Sequence, residues 1–249
     1  MTEFAYLNDR KEVSHGLELL LETVHSILKS EQNTDVRDLL TTWSESLAET
    51  PNRVCITSFS TDADSLSQWR AYGPIAVGFP VRPLSLHVNQ ALLQQVEYNP
   101  ETQSKLVQIY IHHLIAAYVA DLQDGHLEQV PDLYQKSDRL LELAVFFKDP
   151  AFRTENEYRL AYIDNPDVLQ AFDLPSPPKS FRVANGRIVP YVASTEVLPS
   201  EHRNFELEIS EIVLGPESDN LLERGVREFL NAKGLANVEV RKSSVPFRS

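Results

Sequence analysis

The segment 152–160, in the second half of the chain, constrains the fold more than any other. Glu155, Glu157 and Arg159 stand on alternate residues and lead directly into an apolar run. The pattern predicts a strand over 158–163. Alternate side chains of a β-strand share one face, so if the residues leading into it are also extended, the two carboxylates and the guanidinium lie on one side. A strand face given over to charge either is solvated or lines a site. The solvated alternative pairs Arg159 with one of the two glutamates.

The charge balance limits the classes of partner. The formal net charge is −13, and no basic run interrupts it. Because binding to duplex nucleic acid relies on neutralising phosphates, we expect no duplex partner. A nucleotide or another small molecule, or a partner protein, is compatible with this composition. The single cysteine, Cys55, has no partner for an internal disulfide, and we find neither a signal peptide nor an apolar stretch of membrane-spanning length. We therefore expect a cytosolic protein without a membrane anchor.

Hydrophobic periodicity and turn residues give the order of the elements. The predicted helices cover 12–29, 36–47, 101–122, a segment starting at Pro131, and 218–233. The predicted strands cover 54–59, 75–79, 96–98, 158–163, 181–183, 188–192, 206–214 and 238–241. Asn185-Gly186 lies between two β-prone runs and predicts a hairpin, whereas the proline-rich stretch 175–178 is interpreted as a rigid surface loop. The pattern favours one α+β domain over 1–249, with a largely antiparallel sheet flanked by helices.

Four segments, in this order, resemble the bacterial family known as domain of unknown function 2971. They are Tyr6-Leu-Asn-Asp9, then Ile56-Thr-Ser-Phe-Ser60 with Leu66-Ser-Gln-Trp-Arg-Ala-Tyr72 and Val77-Gly-Phe79, then 152–160, and last Ile212-Val-Leu-Gly-Pro216 with Ser244-Val-Pro-Phe-Arg248. No single segment is specific, but the ordered set is. Members usually begin further upstream, with a short strand carrying aromatic and histidine residues. We expect that strand to be missing from this sequence or to be supplied by another chain.

The sheet pattern of this family is similar to that of ADP-ribosyltransferases, and the resemblance implies an enzyme that handles NAD or another nucleotide. Those enzymes use an upstream His or Arg, a Ser- or Tyr-bearing element, and a Glu on a later strand. The resemblance places Ser58 or Ser60 on the early strand, makes Tyr72 an aromatic clamp, and makes Glu157 or Glu155 the carboxylate that stabilises an oxocarbenium-like state. The upstream His has no counterpart here, which weakens the expectation that NAD is the ligand.

Further candidate ligand-binding residues lie near these positions. Trp69 and Tyr72 are three residues apart, so one side of a helical turn carries both. They form either a core anchor between helix and strand, which we favour, or a wall for base stacking. Arg70 has the planar guanidinium that suits phosphate, and Arg159 is a further candidate for ligand binding. Asp9 either caps the first helix, which is the default, or reaches the same site as Glu157.

Two other classes of function compete with the enzyme hypothesis. The first is a non-catalytic interaction module, for example a partner in a defence or toxin locus. The second, which we rank lower, is a metal-dependent nuclease with carboxylates from Asp62, Asp64, Glu155 and Glu157. No lysine follows at the matching spacing in the Glu-Asn-Glu segment, and the acidic balance does not favour nucleic acid. The adjacent His112 and His113 point in different directions on a helix and predict no metal site.

Overall fold

The computed structural model describes residues 1–3, 6, 11–49, 54–80, 91–125, 138–164, 176–184, 186–193 and 209–246. Its helices are α1 (Lys11–Ser30), α2 (Thr34–Glu49), α3 (Leu66–Tyr72), α4 (Pro100–Gln123), α5 (Asp138–Ala144) and α6 (Asn220–Ala232). Its strands are β1 (Thr2–Glu3), β2 (Val54–Ser60), β3 (Ile75–Gly78), β4 (Ala91–Gln95), β5 (Glu157–Ile163), β6 (Lys179–Ala184), β7 (Arg187–Val192), β8 (Glu211–Leu214) and β9 (Glu239–Lys242). A 3-10 helix, Pro150–Glu155, leads into β5.

Within the described residues, the larger sheet has six strands in the order β4-β5-β2-β1-β7-β6, and the pairings between them are antiparallel. Strand β5 lies between β4 and β2, so its backbone is paired on both edges. Strand β1 has only two residues, yet it joins β2 to β7. The predicted α+β class with a largely antiparallel sheet is confirmed.

One face of this sheet is covered by helices. Amphipathic α1 and α2 bury side chains that include Leu20, Leu40 and Trp43 against β2 and β5. Helix α1 also lies very close to α5, because a Cβ added at Gly16 would stand 2.2 Å from the carbonyl oxygen of Ala144. Only glycine fits at that crossing. Helices α1 and α5 are therefore in direct backbone contact at this point.

A second sheet of three strands has the order β3-β8-β9, with β3 antiparallel and β9 parallel to β8. Helix α6 packs on it through Leu230, which joins Ile212 and Leu214 in a small apolar cluster. Asp219 caps this helix by accepting a hydrogen bond from the backbone N–H of Leu222 at 2.8 Å. The sequence predicted α6 and β9 to within two residues at each end.

Some predicted elements shift in the structure. The strand predicted over 96–98 is instead β4 at 91–95, a segment whose Ala-Leu-Leu-Gln-Gln sequence is not typical of a strand. The Asn185-Gly186 hairpin is confirmed, since β6 and β7 pair with Ala184 opposite Arg187. The helix start predicted at Pro131 lies outside the described residues. The prediction of a single domain stays a prediction.

Candidate functional site

The helix-covered face of the large sheet changes from apolar to polar along β2 and β5. Its first two cross-strand pairs are apolar, Val54 with Ile163 and Ile56 with Ala161. The next pairs on the same face are Ser58 with Arg159 and Ser60 with Glu157. Because strand residues alternate between faces, the polar pairs continue the apolar ones. The candidate site is therefore the polar end of the main core.

Glu157 is the centre of this polar end and is only 2% exposed. Its Oε1 accepts hydrogen bonds from the Ser58 hydroxyl at 2.5 Å and from Arg159 Nε at 2.6 Å. Its Oε2 accepts from Lys148 Nζ at 2.9 Å and from Arg159 Nη2 at 3.3 Å. Both carboxylate oxygens thus have charged and polar partners, which is what a buried carboxylate requires.

The charges around Glu157 balance. Lys148 is 3% exposed and its Nζ also lies 2.7 Å from Glu155 Oε2. Arg159 is completely buried and donates from Nη1 to the Val145 carbonyl at 2.7 Å. We call Lys148, Glu155, Glu157 and Arg159 the charged cluster. It brings two cations and two anions together, so no net charge is buried.

Neighbouring polar groups hold the backbone around the charged cluster. The N–H of Glu157 donates to the Tyr98 hydroxyl at 3.1 Å. The buried Gln103 donates through Nε2 to the carbonyl oxygens of Glu97, at 2.6 Å, and Lys148, at 2.9 Å. These bonds fix the two chain segments that carry Glu157 and Lys148, so the cluster has a rigid support.

The pKa of Glu157 follows from competing effects. Burial on its own raises this pKa, but the hydrogen bond and charge of Arg159, the Ser58 hydroxyl and the charge of Lys148 outweigh burial and lower it. Glu157 is therefore ionised at neutral pH. It is suited to stabilising positive charge rather than to donating a proton.

The approach of the chain to β5 differs from the predicted alternation. Glu155 ends the 3-10 helix, and Asn156 follows in the left-handed conformation with φ of 44°. Strand β5 begins only at Glu157, so strand geometry does not place Glu155 and Glu157 on one face. They meet because Lys148 contacts both. The solvated-edge alternative is also wrong for Glu157 and Arg159, which are buried, although Arg159 does pair with a glutamate as that alternative expected.

Ser60 lies beside the charged cluster but does not touch its carboxylates. Its hydroxyl donates to the Glu155 carbonyl at 2.7 Å, and the Thr61 N–H donates to the Asn156 carbonyl at 3.0 Å. These bonds hold the left-handed turn in place. Of the two predicted serines, the structure brings Ser58, not Ser60, to the Glu157 carboxylate.

An open groove of about 530 Å³ lies between α3 and the 3-10 helix. Six of its seven lining residues have polar or charged side chains, and the set is Asp62, Ser65, Leu66, Ser67, Arg70, Thr154 and Asn156. The volume is within the range of small-molecule pockets. The groove reaches Asn156, the residue directly before Glu157, and Arg70 brings a guanidinium to its wall.

Trp69 is a structural anchor in this arrangement, as favoured from the sequence. Its indole N–H donates to Asp64 Oδ1 at 2.9 Å, and a Cβ on Gly215 would lie 3.1 Å from its ring. Asp64 also accepts from the hydroxyls of Ser243 and Ser244 and from the Ser244 N–H. Through these hydrogen bonds, Asp64 connects the loop before α3 to the chain that follows β9.

The remaining predicted site residues lie apart from the charged cluster or outside the described part. The core-anchor prediction is wrong for Tyr72, which is 58% exposed at the end of α3 and does not line the groove. Asp9 is not among the described residues. Within the described ranges, no group of three His, Cys, Asp or Glu side chains is placed to hold a metal ion, which leaves the nuclease hypothesis without a site there.

Sequence reasoning missed Lys148, Tyr98 and Gln103. Lys148 follows the apolar run 143–147 and lies in no regular element. Its one signal in the sequence is its position directly after Phe146 and Phe147. Gln103 lies on α4 in line with the buried Val107 and Ile111, at a spacing of four residues, but only its contacts in the fold reveal its role.

Among the described helices, none combines the length and apolarity needed to cross a bilayer. Residues 68–160 match the protein family described as "Protein of unknown function (DUF2971)". This confirms the family resemblance over the matched stretch, which includes residues 68–72 of α3 and every residue of the charged cluster. The match does not extend to ADP-ribosyltransferases. No curated protein and no solved structure matches the chain.

Proposed function

We propose that this protein, whose residues 68–160 match the DUF2971 family, is an enzyme that handles NAD or another nucleotide and resembles ADP-ribosyltransferases. The contact of the Ser58 hydroxyl with Glu157 Oε1, at 2.5 Å across neighbouring strands, carries the proposal. It joins a serine of an early strand to a glutamate of a later one, the pairing that the resemblance implies. Ser58 is exposed, so the ionised carboxylate lies directly behind a hydroxyl that a ligand can reach.

The reaction breaks the bond between C1 of the ribose and the nicotinamide nitrogen. The bonding electrons leave with nicotinamide, which becomes neutral, and positive charge develops on C1 and the ring oxygen. The Glu157 carboxylate stabilises that charge. Water or an acceptor nucleophile then forms the new bond to C1 and loses a proton to solvent, giving ADP-ribose or an ADP-ribosylated acceptor.

The burial of Glu157 determines the side from which a ligand can approach its carboxylate. Lys148 and Arg159 enclose the carboxylate on the core side, whereas Ser58 stands on the solvent side. A ribose that approaches Ser58 exchanges the hydrogen bond of the Ser58 hydroxyl for its own contact. Arg70, on the wall of the groove, is the candidate for binding a phosphate.

Nicotinamide release from NAD tests this proposal. The wild type is compared with Glu157→Gln, which keeps the size and shape of the side chain but removes its charge and replaces one acceptor oxygen with an NH2 donor. We expect release to fall about 10²–10³-fold, the range for losing one stabilising group at a transition state. Ser58→Ala should fall less, because it removes an orienting hydroxyl and leaves the carboxylate.

Ser180→Ala on β6 is the matched control for Ser58→Ala, because it also removes an exposed strand hydroxyl, and β6 is far from β5 in the sheet order. Thermal melts of all variants show whether a loss of release reflects unfolding. Release by the wild type that Glu157→Gln leaves unchanged contradicts the role of Glu157. No release by any folded protein removes the NAD hypothesis.

A non-catalytic interaction module is the second candidate. The observation that favours it is the complete pairing of both Glu157 oxygens with internal partners. In that case the charged cluster only holds β5 in place. Folded Glu157→Gln protein would then bind its partner normally, and the wild type would leave NAD intact.

A further inference from the structure

Strand β6 forms one of the two edges of the large sheet. Among the described strands, β6 pairs only with β7. Residues 179–183 are all exposed, on both faces of the strand. An edge strand carries N–H and C=O groups that point away from its one neighbour, and these groups can pair with a further strand.

Large apolar side chains are exposed next to this edge. Phe181 is 66% exposed, Val183 79% and Ile188 68%. Val183 and Ile188 stand directly opposite each other in the β6–β7 register, and Phe181 is two residues from Val183 on the same face. The three side chains form one apolar strip, which we call the hairpin strip. Contiguous exposed apolar surface of this kind is typical of an interaction site.

The charge of the same hairpin is opposite in sign to that of the molecule. Residues 176–193 contain Lys179, Arg182 and Arg187 and no Asp or Glu, whereas the whole chain has a net charge of −13. Lys179 lies 3.4 Å from Glu3, and Arg182 donates to the Thr2 hydroxyl at 2.9 Å. Arg187 is exposed at the hairpin tip. The edge therefore offers backbone groups, apolar side chains and positive charge together.

We propose that β6 binds an extended, acidic segment of a partner protein, which adds to the sheet as a further strand. Main-chain hydrogen bonds along the β6 edge give such a complex its affinity, and alternate side chains give it specificity. Apolar residues of the segment lie over the hairpin strip. Their acidic neighbours fall on the opposite face, which carries Arg182. This inference is independent of the enzymatic proposal and is compatible with either function.

A second copy of this chain is a poorer occupant of the same edge. Two β6 strands paired edge to edge bring Lys179 and Arg182 from each copy together without any carboxylate from β6. Like charges across a strand pair are destabilising. The cations that attract an acidic segment thus also keep two β6 edges apart.

The test uses the full chain and a ten-residue peptide of alternating Glu and Val. A second peptide of alternating Lys and Val has the same length and apolar content. Hydrogen–deuterium exchange follows the amides of β6, and titration calorimetry follows affinity. We expect the acidic peptide to bind with protection confined to the hairpin, and the affinity to fall as salt is raised.

Variants then locate the contact. Phe181→Ser and Arg182→Glu should each weaken binding at least tenfold. Phe229→Ser is the matched control, because Phe229 is a similarly exposed aromatic residue, 59% exposed, on α6 of the other sheet. It should leave binding unchanged.

Three results overturn the proposal. One is the absence of binding and of β6 protection at millimolar acidic peptide. Another is equal binding of the Lys-Val peptide, which removes the role of charge. The last is concentration-dependent dimerisation that Phe181→Ser abolishes, which makes a second copy the occupant.

Discussion

Strands β5 and β6 belong to the same sheet, but β5 buries charged side chains whereas β6 exposes apolar ones. In β5, at an interior position, Glu157 and Arg159 are 2% and 0% exposed. In β6, at the edge, Phe181 and Val183 are 66% and 79% exposed. In these two strands, burial therefore depends more on the position of the strand in the sheet, and on whether charged and hydrogen-bonding groups lie nearby, than on the polarity of the residue. A charge is tolerated inside when opposite charges and hydrogen bonds meet it, and an apolar side chain stays outside when nothing covers its strand.

The two strands also differ in what a substitution does. Removing one member of the charged cluster leaves a buried ion without its partner, which is strongly destabilising. Removing an exposed apolar side chain from β6 changes little in the folded monomer. Four substitutions test this contrast, from the core outward.

Arg159→Leu should have the largest effect. The substitution removes two hydrogen bonds to Glu157 and one to the Val145 carbonyl and leaves a carboxylate with too little compensation. We expect the free energy of unfolding to fall by about 3–5 kcal/mol, as measured by urea denaturation. Arg224→Leu, at an exposed ion pair with Glu228, is the control and should change it by less than about 1 kcal/mol. Equal effects of the two variants would falsify the contrast.

Lys148→Met should have a smaller effect. It removes the cation that holds Glu155 and Glu157 together, but Arg159 remains on Glu157, and Glu155 keeps 20% side-chain exposure. We expect a loss of about 1.5–3 kcal/mol, the range for a hydrogen bond to a charged group. Adding Glu155→Gln to this variant should recover part of the loss, because it relieves the repulsion between the two carboxylates. A double variant less stable than Lys148→Met would contradict the bridging role of Lys148.

Asp64→Asn tests a partly buried carboxylate outside the charged cluster. Burial raises the pKa of Asp64, but hydrogen bonds from Ser243, the Ser244 backbone and Trp69 outweigh burial and lower it to about 2. The folded pKa lies below the unfolded value of about 3.9. The stabilisation is therefore fully present above that unfolded value and is lost as the pH falls from about 4 to about 2.

The measurement for Asp64 is the free energy of unfolding against pH for wild type and Asp64→Asn. The wild type should lose stability more steeply than the variant as the pH falls below about 4. At pH 7 the variant should be about 1–2 kcal/mol less stable, because Asn keeps one acceptor oxygen but no charge. Parallel curves for the two proteins would show that folding does not lower the pKa of Asp64.

Phe181→Ser should have the smallest effect on the monomer. The ring is mostly exposed, so we expect the free energy of unfolding to change by no more than about 0.5 kcal/mol. Differential scanning calorimetry at low protein concentration measures this. A loss of 2 kcal/mol or more would mean that the ring is covered in solution and that β6 is not a free edge.

Much of the fold could be predicted because it depends on patterns local in sequence. The spacing of Leu17, Leu20 and Val24 predicts α1, and these side chains are buried as expected. Asn185-Gly186 predicts its hairpin because a two-residue turn needs residues that tolerate positive φ. Strand β1 could not be predicted, since two residues carry no periodicity.

The candidate site could be predicted only in part. The alternation of Glu157 and Arg159 identified the charged strand, and the early serine identified its neighbour. Lys148 could not be placed, because its contacts depend on how the end of α5 meets β5 across the fold. The burial of the charges was also hidden, since a sequence does not show whether opposite charges will meet.

The short strand β1 has a consequence for the order in which the protein assembles. Thr2 pairs with Ile56 of β2 on one side and with Tyr191 of β7 on the other. The early half of the large sheet can form once β5 has been synthesised, but the β6–β7 hairpin cannot join it until most of the chain has left the ribosome. Contacts between residues so far apart in sequence slow folding, since a large loop must close before they form. We therefore expect the hairpin to dock late, after the charged cluster has already formed.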